Sequence, residues 1–278
     1  MKKLLCIILI IFITLALVAC VENDTTPNLQ DMLEQPPQNS IEIDSLVNDS
    51  STELDSTSSE NVGDIINFGE IDWRVLDVQG DRTLIISQEI LELRGFHDTR
   101  ESITWEHSDI RQYLNYEFIY NRFTDAERSR IAQTTIINHC NPWFGTDAGN
   151  DTIDRIFLLS LEELARYFGD SGQLANRLYD WQWGVDDEYN NARVAYTAPD
   201  VVFTGEWSNL PPGASFAWWL RSPGAINVDL VGDNIPGPSY GHVGMTYVLG
   251  GSEFGLVDIK GVYITKIIGI RPALWLNP

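Results

Sequence analysis

The hydrophobic pattern of the chain begins with an apolar run near the amino terminus. Residues 4–18 are apolar except for Thr14, and two lysines, Lys2 and Lys3, precede them. A charged start, an apolar middle and a small residue before the cut are the parts of a secretory signal. The run has fifteen residues, whereas a membrane-spanning helix needs about twenty. The pattern therefore predicts a signal peptide over residues 1–19.

The apolar run ends in Leu17-Val18-Ala19-Cys20, which resembles the bacterial lipobox. In that motif the cysteine thiol is acylated and the chain is cut just before it. The resemblance implies that Cys20 carries lipid and anchors the protein to the extracytoplasmic face of a bacterial membrane, the outer membrane if the source has one. Several acyl chains provide the multiple signals that stable attachment requires. The alternative is an uncleaved anchor helix with Cys20 as an ordinary apolar residue.

Apolar periodicity is missing from the next segment. Residues 21–62 hold ten acidic side chains, no Lys or Arg, and no aromatic residue. A segment with little to bury and unbalanced charge cannot offset the entropy lost on ordering, and its like charges extend it. We therefore expect residues 20–62 to form the lipidated cysteine and a disordered acidic stalk, followed by one globular domain at 63–278.

Periodic patterns return in the globular segment. Alternation over residues 71–75, a turn at 79–81 and a second apolar run at 83–87 predict a β-hairpin. Ser108 precedes apolar positions at helical spacing that continue to Phe118, which predicts a helix with an N-terminal cap.

Two capping boxes predict two further helices. Thr124 and Glu127 open a short helix that ends near residue 131, and Ser160 and Glu163 open one that ends near residue 168. The apolar residues just before the second box, 156–159, predict a buried strand.

Loops and short strands dominate the remainder. Residues 204–213 and 232–244 are rich in Gly, Pro, Ser and Asn, which favour turns. Strands are predicted at 216–220, 246–249, 261–265 and 269–276. Pro272 lacks a backbone donor, which predicts an edge position or a bulge in the last of these. A hairpin and helices followed by short antiparallel strands with long loops predict a single α+β domain.

The charge balance limits the partners of this domain. The chain has 18 basic and 40 acidic residues, and residues 63–278 retain 16 basic and 30 acidic ones, a net charge of −14. Such a surface repels phosphate backbones, so nucleic acid is not expected as a partner. The favoured ligands are neutral, cationic or bridged by a divalent ion.

Four sequence blocks lie in order along the domain: WEHSDIRQYLN at 105–115, FLLS at 157–160, WWLRSPG at 218–224 and GIRPALW at 269–275. Together they resemble a bacterial domain-of-unknown-function family that is frequent in surface and secreted proteins. The resemblance covers essentially all of 63–278, but it implies no activity because none is known for the family.

The paired tryptophans, the glycine-rich loop and the terminal Arg-Pro strand also resemble, more distantly, the C-type-lectin-like fold and its formylglycine-generating-enzyme relatives. The lectin disulfides, calcium motifs and catalytic cysteine pair of those proteins have no counterparts here. The resemblance therefore implies a fold and not an activity.

Several residues of the blocks are expected to be structural. Trp218 and Trp219 are adjacent on a strand, so they face opposite sides and at least one is core. A buried Arg is costly unless it is paired, so Arg221 and Arg271 should hold carboxylates or carbonyls in place, with Glu106 and Asp72 as the suggested partners. The structural set is Trp73, Trp105, Glu106, Trp218, Trp219, Arg221 and Arg271.

An acidic loop offers a candidate calcium site. Asp147, Asn150, Asp151 and Asp154 supply oxygen ligands around Gly149, although the full EF-hand pattern is missing. The alternative reading is an ordinary solvated loop. Calcium is the one cofactor that the sequence suggests.

Aromatic residues in polar loops offer a candidate ligand site. Exposed rings flanked by Asp and Asn stack on the C–H faces of sugars while the polar groups take the hydroxyls. The candidates are Trp143, Trp181, Trp183, Trp207 and Tyr240. Alternatively, these rings fill the core beneath long loops.

Three function classes follow. The favoured class is a membrane-anchored module that binds surface carbohydrate or protein, because no motif for nucleophilic, phosphate-binding or metal-dependent catalysis is present. The second is an envelope glycan hydrolase whose Asp or Glu pair the sequence does not place. The third is a structural component of the envelope.

Overall fold

The fold is that of a computed structural model, which describes residues 60–226, 243–251 and 255–278. These residues belong to one compact unit, Glu60–Pro278. The predicted signal peptide, Cys20, the stalk up to residue 59 and Tyr240 lie outside the described residues. Within these residues, no helix is long and apolar enough to cross a membrane.

The domain is a mixture of helices and strands, as predicted. Its strands are β1 Ile65–Phe68, β2 Ile71–Gln79, β3 Arg82–Ser87, β4 Glu92–Arg94, β5 Thr134–Ile136, β6 Thr152–Asp154, β7 Ile156–Phe157, β8 Gly184–Val185, β9 Trp218–Ile226, β10 Val243–Val248, β11 Val257–Val262, β12 Ile268–Ile270 and β13 Ala273–Leu276. Its helices are α1 Asp109–Tyr113, a π-helix Leu114–Phe118, α2 Ile119–Arg122, α3 Asp125–Arg130, α4 Leu161–Phe168 and α5 Asn190–Arg193, with short 3₁₀ turns at Trp105–His107 and Gly205–Trp207.

Two main sheets and one ribbon organise the strands. The first sheet is antiparallel in the order β1-β2-β3-β13-β7. The second has the order β4-β12-β9-β10-β11-β8, and β5 pairs with β6 in a separate ribbon. The predicted hairpin at 71–87 is confirmed as β2–β3. The expectation of antiparallel strands is wrong at one place, because β12 and β9 run parallel.

The last predicted strand, 269–276, is divided between the two sheets. β12 belongs to the second sheet and β13 to the first, and Arg271 and Pro272 connect them. Proline has no backbone N–H to donate to the hydrogen bonds between strands. Because Pro272 lies between β12 and β13 and in neither of them, no strand pairing loses a donor. The strand predicted at 261–265 lies instead at Val257–Val262, because the chain turns directly after it, with the amide of Lys266 donating to the carbonyl of Tyr263.

The helix predicted to start after Ser108 is confirmed. The Ser108 side chain accepts a hydrogen bond from the amide of Arg111, and helical structure continues to Arg122 through the π-helix. Both capping boxes are also confirmed, at Thr124 and at Ser160. These ends were predictable because a capping box is a local interaction within four residues.

The tryptophans expected to be structural are all buried. Trp73 donates from Nε1 to the carbonyl of Phe68 at 2.8 Å. Trp218 and Trp219 are both fully buried, although their side chains leave β9 in opposite directions. The second sheet is therefore covered on both faces at this strand.

Candidate functional site

The block at 105–115 fastens the first helical segment to the neighbouring strands. Trp105 Nε1 donates to Asp154 Oδ2 at 2.9 Å, and Arg111 Nε donates to Asp154 Oδ1 at 2.7 Å. Asn115 donates to the carbonyl of Ile156 and accepts the amide of Arg155. These contacts are internal, so the block has a structural role in the described fold.

The residues of the candidate calcium loop each have a partner within the protein. Asp147 accepts the amide of Gly149, Asp151 accepts the amide of Asn138, and Asn150 donates to the carboxylate of Glu106. Both oxygens of the buried Asp154 are occupied by side chains. Within the described ranges, no group of three or more His, Cys, Asp or Glu residues has a metal-binding arrangement. Calcium at this loop stays a prediction.

Arg221 is buried and joins three parts of the chain. It forms an ion pair with Glu163 of α4 and donates to the carbonyls of Leu158 and Ile137 and to the side chain of Asn138. The suggestion of Glu106 as a partner is wrong, because Glu106 lies with Asn150 and His107 instead.

Arg271 is also buried, and its partners are carbonyls. It donates to the backbone of Ser87 and Gln88, and its guanidinium lies 4.8 Å from the ring centroid of Trp218. Burial lowers the pKa of Arg271 to about 9. Asp72 was suggested as a partner, and this is wrong: its carboxylate accepts from Asn67.

Two of the five candidate aromatics lie in one cavity, which we call the aromatic cleft. It has a volume of about 440 Å³. Its lining comprises Phe144, Arg177, Asp180, Trp181, Gln182, Trp183, Asp258 and Lys260. The structure thus brings the segment 180–183 next to β11, which is about 75 residues further along the chain.

Trp181 is the most exposed ring of the aromatic cleft. Its side chain is 77% exposed, and it stacks on Tyr179 with ring centroids 5.0 Å apart and an interplanar angle of 6°. Trp183 is 41% exposed. Large aromatic rings usually bury most of their surface, so a stacked and solvent-facing pair is a ready platform for a flat apolar face.

Backbone contacts hold Trp183 against β11. The amides of Ile259 and Lys260 both donate to the carbonyl of Trp183, at 3.0 and 2.9 Å. Two consecutive amides that donate to one carbonyl indicate a β-bulge in β11. A β-bulge changes the direction of the side chains near it, and bulges are common beside functional sites. A Cβ at Gly224 would collide with the carbonyl oxygen of Lys260, so β9 needs glycine to approach this bulge.

Asp258 closes the bulge with its carboxylate. It accepts the amide of Gly261 at 2.8 Å and also bonds to the side chain of Tyr247 and the amide of Lys260. Burial raises the pKa of Asp258 to about 6, while these hydrogen bonds and the charge of Lys260 act in the opposite direction. The carboxyl group of Asp258, with a pKa of about 6, therefore loses its proton as the pH rises towards neutrality.

We expect the Asp258→Asn variant to gain stability relative to the unaltered protein as the pH rises from 4 to 7. The folded-state pKa lies above the unfolded value of 3.8, so folding favours the protonated carboxyl. The stability that this provides is present at low pH and is lost between pH 4 and 6. The difference between the two proteins should change by about 2 kcal/mol over that interval. Urea unfolding at each pH measures it, and a constant difference would contradict the expectation.

The other three candidate aromatics lie elsewhere. Trp143 is partly buried, donates from Nε1 to the carbonyl of Leu174 and lies under the guanidinium of Arg177, and it does not line the aromatic cleft. Trp207 packs on Phe216 beside a separate, mostly apolar groove of about 200 Å³. Tyr240 lies outside the described residues.

Sequence reasoning missed seven contributors to the cleft and its platform: Phe144, Arg177, Tyr179, Asp180, Gln182, Asp258 and Lys260. One signal was available for Tyr179, because three aromatic residues alternate with polar ones from Tyr179 to Trp183. No local signal connects that segment to β11, because the contact depends on pairing between β8 and β11.

The described residues define a single mixed α and β domain with an aromatic cleft open to solvent. A family described as a domain of unknown function, DUF6273, matches residues 80–278. The chain belongs to this family, and all four sequence blocks fall within the matched range. Comparison with curated proteins and with solved structures found no match.

Proposed function

We propose that this domain is a carbohydrate-binding module whose ligand stacks on Trp181 in the aromatic cleft. The observation that carries the proposal is the Tyr179–Trp181 stack, with Trp181 exposed beside a cavity that also contains Trp183. Tyr179 supports the Trp181 ring, and ligand binding costs little entropy because both rings are already ordered in the free protein.

Polar groups around the platform suit the hydroxyls of a sugar. Asp180 and Lys260 line the cleft, and their side chains make no hydrogen bond within the described residues. A carboxylate accepts hydrogen bonds and an ammonium donates them, so the pair can satisfy hydroxyls of either orientation. Gln182 contributes rigidity instead, since its amide bonds to Gln173 and to the carbonyl of Gly184.

We expect Trp181→Ala to weaken glycan binding at least tenfold without affecting the fold. A tenfold loss corresponds to about 1.4 kcal/mol, which is within the contribution of one stacked ring. A glycan array identifies a ligand, and calorimetry compares the variants. Tyr196→Ala is the control, because Tyr196 is exposed and does not line this cleft. No ligand on the array, or equal affinity in Trp181→Ala, would refute the proposal.

An envelope glycan hydrolase is the alternative, and one observation supports it: Asp180 and Asp258 line the same cleft. A glycosidase needs two carboxyl groups that are free to act on the scissile bond. The carboxylate of Asp258 is occupied by the bulge, which favours binding over hydrolysis. If the protein released reducing ends from the array ligands, and Asp180→Asn abolished that release, hydrolysis would be favoured over binding.

We further propose that acyl chains on Cys20 hold this module at the outer face of a bacterial membrane, where it meets surface carbohydrate or a surface protein. The supporting observation is the sequence Leu17-Val18-Ala19-Cys20 after the apolar run. Mass spectrometry of the mature protein should find an acylated Cys20 as its first residue. A mature chain with an unmodified amino terminus at any other residue would exclude the anchor.

The C-type-lectin-like relationship and the calcium site are proposals of the same kind. Two features support the likeness in fold: a central strand, β9, that carries two buried tryptophans, and a terminal strand, β13, that pairs with the first hairpin.

Thermal melting with calcium and with a chelator tests the proposed calcium loop at 147–154. An unchanged melting temperature would leave the loop without a role for the ion.

A further inference from the structure

A second cavity, which we call the polar cleft, lies beside the helical segment that starts at α1. It has a volume of about 530 Å³, within the range of small-molecule sites. Its walls come from this helical segment and from the region of β6, and include Arg111, Asn115, Tyr116, Asp154 and Arg155. The aromatic cleft is built from other residues.

The floor of the polar cleft is rigid. Arg111 is held at Nε by Asp154 and at Nη1 by the carbonyl of Glu106, which leaves Nη2 without a hydrogen bond in the described protein. Asn115 is held on both sides by the backbone of residues 155 and 156. Groups fixed in this way lose little entropy when a ligand binds.

The rim of the polar cleft carries polar groups that the protein does not use. The side chains of Gln112, Gln133 and Arg155 are exposed and make no hydrogen bond or ion pair within the described residues. Tyr116 and Tyr120 add two rings that are 66% and 61% exposed. The cleft therefore offers a cation, two amides and two rings, of which Tyr120 has one face covered by Arg128, while the Glu106 carboxylate in its lining is already paired with Asn150 and His107.

We propose that the polar cleft binds an acidic sugar, with the carboxylate at Arg155 and Arg111 and the hydroxyls at Gln112 and Gln133. A guanidinium matches a carboxylate in geometry and charge. Amides donate to and accept from hydroxyls, and tyrosine rings cover the C–H face of a sugar ring. The site is independent of the aromatic cleft and extends binding to a second class of carbohydrate.

The proposal differs from the expectation that an acidic domain prefers neutral or cationic ligands. The net charge of −14 is spread over residues 63–278, and at physiological salt its field is screened beyond about 8 Å. A guanidinium in contact with the ligand acts at a shorter distance. Local recognition is therefore compatible with an acidic surface.

NMR titration of the full domain with methyl glucuronide as the probe measures the affinity of the polar cleft. We expect saturable binding of the glucuronide and at least tenfold weaker binding of methyl glucoside, which lacks the carboxylate. Arg155→Gln should weaken glucuronide binding at least tenfold, and Gln133→Ala should weaken both sugars. Arg166→Gln serves as the matched control and should leave glucuronide binding unchanged, because Arg166 is 64% exposed and lines neither cleft.

Four results would overturn the proposal: no saturable glucuronide binding, equal affinity for the glucoside, unchanged affinity in Arg155→Gln, or equal binding of N-acetylglutamate, which has carboxylates but no sugar ring. Binding of an acidic peptide in preference to the glucuronide would reassign the cleft to peptides. Arg155 is exposed and forms no ion pair within the described residues, so its variant should keep the melting temperature and the NMR spectrum of the folded domain.

Discussion

Replacing Trp219 by Ala should lower the free energy of unfolding by about 3–5 kcal/mol. Trp219 is fully buried and lies edge-on to Phe96 and Tyr247, with ring centroids 5.7 and 6.1 Å away. Its Nε1 donates to the carbonyl of Arg94 at 2.9 Å. The substitution would therefore leave a cavity and an unpaired carbonyl together. Chemical denaturation monitored by circular dichroism measures the loss.

Trp181→Ala is the matched comparison, because the residue type is the same and only the exposure differs. Trp181 is 77% exposed, and substitutions at exposed sites usually change stability by less than about 0.5 kcal/mol. A loss at Trp219 no larger than the loss at Trp181 would mean that the second sheet is not packed as described.

The second large effect is expected at Arg221. The Arg221→Met variant should lose about 3 kcal/mol, because buried acceptors left without a donor cost about 1–3 kcal/mol each, whereas Glu163 is 28% exposed and solvent compensates part of its lost ion pair. Glu163 would lose its partner, and the carbonyls of Leu158 and Ile137 would lose their donor. Urea unfolding gives the value.

An exposed ion pair provides the control for Arg221. Arg166 of α4 pairs with Asp77 at 3.3 Å, and its side chain is 64% exposed. Arg166→Met should cost less than about 1 kcal/mol, since solvent screens such pairs. Equal losses in the two variants would show that burial does not set the contribution of Arg221.

The elements with local signals were predictable. Ser108, Thr124 and Ser160 mark helix starts because a cap satisfies amides only three residues away. The β2–β3 hairpin was predictable for the same reason, since its turn fixes the pairing of adjacent strands. The membership of a domain family could also be expected from the four blocks at 105–275.

Elements that depend on distant pairing were not predictable. β12 and β13 follow one another in sequence but belong to different sheets, and a single apolar pattern covers both. The partner of Arg221 was misjudged because Glu163 is 58 residues away. No periodicity indicates which of many carboxylates a buried arginine will meet.

The sequence by itself determined the division of the chain into an apolar start, an acidic segment and a patterned domain, together with the local helix caps and the first hairpin. These follow from composition and from interactions within a few residues. Only the tertiary structure decided that Trp181 is exposed while Trp219 is buried, and that Asp258 and Lys260 lie beside Trp183. The physical reason is that burial depends on what the second sheet packs against, and residues far apart in sequence supply that packing.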